Sequence, residues 1–347
     1  MANLLGFMGI SLVSLMTLYL ALRRPAIRNL LFVALIVRVF FLLLGHYIIS
    51  LPDSTADAAS FEKKAWEMGQ EGFYFVVSQF KGPDPYFITW FLAVPYSLLG
   101  RSILMAKSIS LFFGMGSVFL SYLIANKIWD SRIANKVGWT TALFPSLILY
   151  SVLTMREVNV CFFTLLALYG VVDWIKTKNF KSIILGMIGF TGATFFHGAI
   201  FVGAIIFMII IGITSLKQFF KSIIRFNINL KTLIIILFLI ASSVVYFSDK
   251  VTIPYLGSFQ KSVKIQRILD KTSQSTKGNA SWPKWTIINS PIELLYKAPI
   301  RSIYLVFAPF PWDIKKTAHL IGMFDAFIYV YLIYLISCNI KIIWRDP

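Results

Sequence analysis

Long apolar runs dominate the hydrophobic pattern of this chain. A transmembrane helix needs about 20 mostly apolar residues. The runs predict nine membrane-spanning helices, at 4–22, 30–51, 104–124, 137–154, 158–175, 183–215 (two helices), 232–248 and 319–339. Two shorter apolar stretches, 86–100 and 300–313, contain prolines, and we expect them to be interfacial or re-entrant segments. The pattern therefore predicts an all-α polytopic membrane protein, with one membrane domain over residues 1–347.

The basic residues between these runs predict the orientation of the helices. Loops rich in Lys and Arg mark the cytoplasmic side of a membrane protein. Such loops occur at 23–28, 127–136, 176–181 and 217–231. The segment 52–85 differs, since it carries six acidic residues and three lysines. The charge pattern therefore predicts two extracytoplasmic loops, at 52–103 and 249–318.

The composition excludes a soluble enzyme. Hydrophobic residues make up 58% of the chain and charged residues 14%, against about 45–50% and about 25% in soluble domains. The net charge of +18 fits cytoplasmic loops and anionic lipid headgroups, and no soluble basic module is present to bind nucleic acid. The sequence also lacks the phosphate-binding loop of ATP-driven pumps and the common zinc and serine hydrolase motifs.

An amphipathic helix is predicted in the first extracytoplasmic loop. Phe61, Ala65, Met68 and Gly72 recur at i, i+4, i+7 and i+11, whereas Glu62 and the two lysines after it fall elsewhere. This spacing predicts a juxtamembrane helix that lies on the membrane with Glu62 away from the apolar face.

Two acidic residues, Asp53 and Asp57, stand at the start of this helix. Ser54 followed three residues later by Asp57 has the form of a capping box, in which the carboxylate only satisfies backbone donors. The other interpretation is a functional acid at the membrane surface. The sequence leaves both interpretations open.

Arg156 and Glu157 form a second charged group, in a very short connection between two apolar helices. A solvated turn is one explanation, and the two charges partly neutralise each other. Ionisable groups close to the membrane are costly unless they pair or belong to a site, which favours a functional role. This pair is therefore the second candidate.

Four further basic residues lie within or beside apolar runs. Arg38 is predicted either to snorkel toward the headgroups or to face a polar cavity. His197 lies in a predicted helical hairpin, where it is either hydrogen-bonded structure or part of a site. Lys107 and Arg301 begin apolar stretches, where they could bind lipid phosphate or anchor a helix.

Two segments of the chain are similar to segments of a known family. The first segment contains Asp57, Ala58, Phe61, Ala65 and Met68. The second contains Pro145, Ser151, the pair Arg156-Glu157 and the run Leu166-Ala167-Leu168-Tyr169. Together, over residues 30–215, they resemble the membrane glycosyltransferases of the GT-C class, in the protein O-mannosyltransferase and aminoarabinose-transferase-like branch (glycosyltransferase family 39). That branch has Asp-Glu-x-x-Tyr-x-x-x-Ala-x-x-Met in its first loop and Arg-Pro-Asp before its leucine-rich helix.

The resemblance implies a function and roles for the candidate residues. The enzyme would move a sugar from a polyprenyl-phosphate donor to an extracytoplasmic glycan, lipid or protein, in a multi-pass protein of the bacterial inner membrane. Asp57 would be the general base, with Asp53 and Glu157 as the other catalytic acids. Residues for the substrate or its lipid phosphate would be Arg156, Arg301, Lys107, His197 and Arg38. No metal site is assigned, and a divalent cation is the only cofactor that the resemblance leaves open.

Two other functions compete with this one. A polysaccharide polymerase would use an oligosaccharide on lipid pyrophosphate, with basic residues for the pyrophosphate. A transporter of lipid-linked glycans would use intramembrane charges such as Arg38 along its path, and it predicts inverted repeats that the sequence does not show.

Overall fold

The computed structural model describes residues 2–55, 57–84, 86–224, 283–314 and 318–345. This described part is helical and contains no strand. It divides into two compact units, one formed by Met1–Leu143 and Leu147–Phe259, the other by Phe144–Ser146 and Gln260–Pro347. The all-α class predicted from the sequence is confirmed.

Thirteen α-helices are described, and we number them in chain order. In the first half they are α1 (Ala2–Arg23), α2 (Arg28–Tyr47), α3 (Asp57–Gln70), α4 (Phe73–Ser78), α5 (Phe87–Leu99) and α6 (Ile103–Ile128). In the second half they are α7 (Ser131–Leu143), α8 (Pro145–Tyr150), α9 (Glu157–Thr177), α10 (Phe180–Phe196), α11 (Phe201–Ile224), α12 (Pro291–Phe307) and α13 (Ala318–Arg345).

Five helical segments in the described part are long and apolar enough to cross a membrane. They are Ala2–Arg23, Pro25–Tyr47, Ile103–Ile128, Glu157–Thr177 and Gly322–Lys341. The predicted pair at 183–215 corresponds to two shorter apolar helices, Phe180–Phe196 and Gly198–Thr214. The predicted span at 232–248 lies outside the described residues. These helices support the assignment to a membrane protein.

Small residues allow the helices of the first unit to pack closely. A Cβ atom on Gly170 of α9 would lie 2.3 Å from the backbone nitrogen of Gly186 in α10. A Cβ atom on Gly189 of α10 would lie 2.3 Å from the backbone nitrogen of Ala167 in α9. Small residues at such positions are how membrane helices bring their backbones together. The two contacts fix an antiparallel register in which the end of α10 lies beside the start of α9.

The predicted span at 137–154 is instead broken into α7 and α8. Pro145 has no amide hydrogen, so it cannot donate to the carbonyl of Thr141 four residues earlier. Arg38 of α2 supplies the missing donors, with Nη1 2.8 Å from the Ala142 oxygen and Nη2 3.4 Å from the Thr141 oxygen. The last carbonyls of α7 are thereby satisfied by a buried guanidinium, which also complements the negative end of the helix dipole.

This contact corrects the sequence interpretation of Arg38. The residue is only 1% exposed, so it neither snorkels to the headgroups nor opens to a lipid phosphate. Lys107 of α6 also donates to a helix end. It is buried, and its Nζ atom lies 3.1 Å from the Gly45 oxygen in the last turn of α2. That contact accounts for Lys107 without a lipid phosphate.

We expect Arg38→Met to destabilise the protein. The change leaves the Thr141 and Ala142 carbonyls short of donors, and a buried carbonyl without a partner costs about 1–3 kcal/mol. Arg38→Lys should lose less stability, because the lysine ammonium group can still donate to one of the two carbonyls. Thermal unfolding in detergent would measure the effect, with Arg132→Met, an exposed arginine of α7, as the control. Equal unfolding temperatures for the two methionine variants would contradict this role.

Candidate functional site

The structure brings the two acidic segments predicted from the sequence into contact. The Tyr150 hydroxyl at the end of α8 lies 3.4 Å from Oδ2 of Asp53. The Thr154 hydroxyl donates to the backbone oxygen of Ala58 at 2.9 Å, and this bond is buried. The start of α3 therefore packs against the segment that leads into α9. Asp57 and Arg156 each lie within two residues of this contact.

The acidic side of the site consists of Asp53 and Asp57. Asp57 is the first residue of α3, its side chain is exposed, and within the described residues no hydrogen bond or ion pair holds its carboxylate. Asp53 has a left-handed backbone with φ of 60°, which aspartate tolerates better than most residues. Both side chains are exposed; Asp53 lies beside Tyr150, and Asp57 is one residue from the contact between Ala58 and Thr154.

The capping box predicted for Ser54 is not formed. Both the backbone nitrogen and the hydroxyl of Ser54 bond to the Leu51 oxygen, at 3.2 and 2.6 Å. The described helix starts at Asp57, whereas the capping box requires Asp57 to be the third residue of the helix. Ser54 and Asp57 therefore do not form the predicted capping box.

The other side of the site consists of Arg156, Glu157 and His197. Arg156 immediately precedes α9, and its Nε lies 3.6 Å from Oε1 of Glu157. The second carboxylate oxygen of Glu157 is buried and has no hydrogen-bond partner in the described part of the chain. His197 directly follows α10 as its C-cap residue. Burial, and then the charge of the nearby Arg156, lower the pKa of its imidazole. The geometry thus places a guanidinium, a carboxylate and an imidazole at one end of the α9 and α10 pair.

Asn159 is a polar residue of this region that the sequence interpretation missed. It is 1% exposed, and its Oδ1 atom has no partner among the residues that the structure describes. The antiparallel register of α9 and α10 brings its turn of α9 alongside His197. Its amide side chain, within the apolar run that follows Glu157, is the sequence feature that could have identified it.

The buried face of α3 differs from the one predicted. Its buried residues are Ala58, Phe61, Glu62, Ala65 and Gly69, so Glu62 belongs to the buried face, contrary to the prediction.

Glu62 can be buried because two other residues neutralise and bond its carboxylate. Arg101 donates to it through Nε at 3.0 Å and Nη2 at 2.7 Å, and the Tyr96 hydroxyl donates at 2.9 Å. This bidentate geometry is the stronger kind of ion pair. The hydrogen bond from Arg101 to Glu62 also raises the pKa of the guanidinium. The cluster ties α3, which begins with Asp57, to α5 and to the start of α6.

Arg301 belongs to the second unit. Its Nη1 atom lies 3.2 Å from the Thr286 oxygen and 3.4 Å from the Thr286 hydroxyl. Burial lowers the pKa of this guanidinium. Within its own unit, therefore, Arg301 binds the segment that precedes α12.

The described residues contain no group of three or more His, Cys, Asp or Glu side chains placed to hold a metal ion. Glu157 and Asn159 each have a buried oxygen atom without a hydrogen-bond partner among the described residues. No family model, no curated protein and no solved structure matches this chain. A functional assignment therefore rests on its own residues and their geometry.

We expect Arg101→Gln to destabilise the protein strongly. The variant leaves the buried Glu62 carboxylate without its cation, and removal of one partner of a buried pair costs about 3–5 kcal/mol. We expect a loss near the lower end of this range, because the Arg101 side chain is 42% exposed. Chemical unfolding in detergent would measure the loss. Lys63→Gln is the matched control, since the Lys63 and Glu67 side chains are exposed and 3.8 Å apart. A loss no larger than in this control would contradict the role of the cluster.

We expect the stability of the protein to fall in mild acid through His197. The folded-state pKa of His197 lies below the value of about 6.5 expected in the unfolded chain. Its contribution to stability is therefore fully present above a pH of about 6.5 and is lost as the pH falls through the folded-state pKa. His197→Gln stays uncharged beside Arg156 and should lose less stability on acidification. Unfolding temperatures between neutral and mildly acidic pH would test this, and parallel pH profiles for the two proteins would contradict it.

Proposed function

We propose that this chain is a membrane glycosyltransferase that moves a sugar from a polyprenyl-phosphate donor to an acceptor hydroxyl at the extracytoplasmic surface. The observation that supports the proposal most is the contact between the start of α3 and the segment before α9. It gathers accessible carboxylates and a guanidinium into one region beside membrane-spanning helices. Such a region suits a reaction between a lipid-anchored donor and an acceptor outside the bilayer.

Asp57 is the general base in this proposal. An acceptor hydroxyl must lose its proton as it attacks the sugar, and a positioned carboxylate can take that proton. Asp57 is exposed at the first position of α3 and is not held in an ion pair in the described part of the chain. Asp53, held near the Tyr150 hydroxyl, is the second carboxylate within this region.

Arg156 stabilises the departing lipid phosphate in this proposal. A guanidinium can bind phosphate through two parallel hydrogen bonds. Arg156 also stands at the positive end of the α9 dipole, which favours a negative charge at that place. Burial and the Arg156 charge lower the pKa of His197 and so favour its neutral imidazole, which can donate a hydrogen bond.

Glu157 positions the acceptor in the same scheme. Its buried Oε2 atom can accept a hydrogen bond from a hydroxyl, since no described residue occupies it. The same oxygen would be a ligand if the reaction uses a divalent cation. The acceptor itself would be a cell-envelope glycan, lipid or protein, and the enzyme would lie in the inner membrane of a bacterium.

Asp57→Asn should strongly slow sugar transfer while the protein stays folded. Loss of a general base typically lowers the rate about 10²–10⁴-fold. The assay would use purified protein in lipid nanodiscs, labelled polyprenyl-phosphate sugars and mixed cell-envelope acceptors. Glu67→Gln is the matched control, because Glu67 is an exposed acid of the same helix.

Each other outcome would change the assignment. Equal transfer by wild type and Asp57→Asn would remove Asp57 as the base and make Asp53→Asn the next variant. Transfer only from oligosaccharides on lipid pyrophosphate would replace the proposal with a polysaccharide polymerase. Movement of a lipid-linked glycan across the membrane without transfer would indicate a transporter.

A further inference from the structure

Helix α12 has its charged side turned inward. Glu293, Lys297 and Arg301 recur at i, i+4 and i+8 and form one face of this 17-residue helix. Lys297 donates to Glu293 at 2.9 Å and to the Ile287 oxygen at 2.6 Å. The segment that precedes the helix therefore covers part of its polar face.

The remaining charges of this face are also bonded to the preceding segment. The backbone nitrogen of Asn289 donates to Glu293 at 2.8 Å, and Arg301 donates to the Thr286 oxygen at 3.2 Å. All three charged side chains thus have protein partners within the same unit.

The opposite face of α12 is apolar and exposed. Ile292, Leu295, Pro299, Ile303 and Val306 follow one another at steps of three or four residues, and all five are exposed. Leu295 is 80% exposed and Ile292 is 75% exposed. A water-facing helix normally shows the reverse arrangement, with its apolar stripe inward. Since apolar surface is costly to expose to water, we expect this face to lie in an apolar environment.

The length and position of α12 indicate which surrounding that is. Seventeen residues span about 26 Å, which is short of the hydrocarbon core of about 30 Å, and three charges lie within them. The chain then passes through Pro311–Asp313 to α13, which contains the membrane-spanning segment Gly322–Lys341. Trp285 and Trp312, on either side of the helix, are 56% and 72% exposed, as is common for tryptophans at a membrane interface.

We propose that α12 is an interfacial anchor that lies along one leaflet and inserts its apolar face into the lipid. The driving force is burial of apolar area, because the charged side chains of the helix are bonded to the protein and turned away from that face. The anchoring is therefore independent of anionic lipid and of salt. It is also independent of the glycosyltransferase proposal.

A fluorescent label at Leu295 tests this anchor. Cys161 and Cys338 would be replaced by serine, and Leu295→Cys would carry an environment-sensitive nitrobenzoxadiazole dye in phosphatidylcholine nanodiscs. We expect blue-shifted emission that a spin label near the headgroup quenches more than one near the bilayer centre. Addition of phosphatidylglycerol or of salt should leave the emission unchanged. Glu67→Cys, an exposed site on the charged side of α3, is the control and should report water.

Other results would overturn the proposal. Water-like emission from Leu295→Cys, and from a second labelled variant, Ile292→Cys, would show that the face is not in lipid. Stronger quenching by the deep spin label would show a re-entrant segment. Blue-shifted emission that lipid spin labels do not quench, and that disappears in nanodiscs holding one chain each, would show a second copy on this face. A signal that needs phosphatidylglycerol would show electrostatic binding.

Discussion

The backbone carbonyls at the end of α7 impose a constraint that organises the first unit. A buried carbonyl cannot bond to water, so a helix that ends in the interior of the protein needs donors from other residues. Arg38 meets this need by donating to Thr141 and Ala142 across more than 100 residues of sequence. The helix α7 ends there, and a new helix, α8, begins at Pro145. Farther along the chain, Tyr150 contacts Asp53, and Thr154 contacts Ala58. The contact of Arg38 thus lies at the helix break that precedes the candidate site along the chain.

The apolar pattern was sufficient to predict the long helices. The predicted spans at 4–22, 104–124 and 158–175 correspond to α1, α6 and α9 within a few residues at each end. The prediction of a single span at 137–154 was wrong. It used only the length of the apolar run and did not take into account that Pro145 has no amide hydrogen to donate. A proline in such a run marks a break only if some other residue can bond the freed carbonyl. That residue, Arg38, was identified as unusual, but its partners are too distant in sequence to be predicted.

The candidate site was predictable in part. The resemblance of the sequence to the GT-C class implied that Asp57 and Arg156 belong to one site. The contact between Thr154 and Ala58 is consistent with that expectation. Glu62 was misplaced because a charged residue is ordinarily assigned to the polar face of a helix. Its burial depends on Arg101, 39 residues away, and no local pattern reveals such a partner.

Charged side chains near apolar segments follow a common rule in the described part of this molecule. Arg38, Lys107 and Lys297 each donate to a backbone carbonyl, and Glu62 accepts from Arg101 and Tyr96. Their charges are therefore used by the fold. Asp57 is different from these residues because its carboxylate is exposed and held by no described side chain.

Exposure alone would not distinguish Asp57 from the other acids of α3. Glu67 is also exposed, but it lies three turns along the helix and pairs with Lys63 at the surface. Asp57 adjoins Ala58, whose backbone oxygen binds the segment that leads to Arg156 and Glu157. A carboxylate that the fold leaves accessible, at the point where it assembles a guanidinium and a second carboxylate, is available for chemistry. The location of Asp57, and not its charge, is therefore the argument for its role.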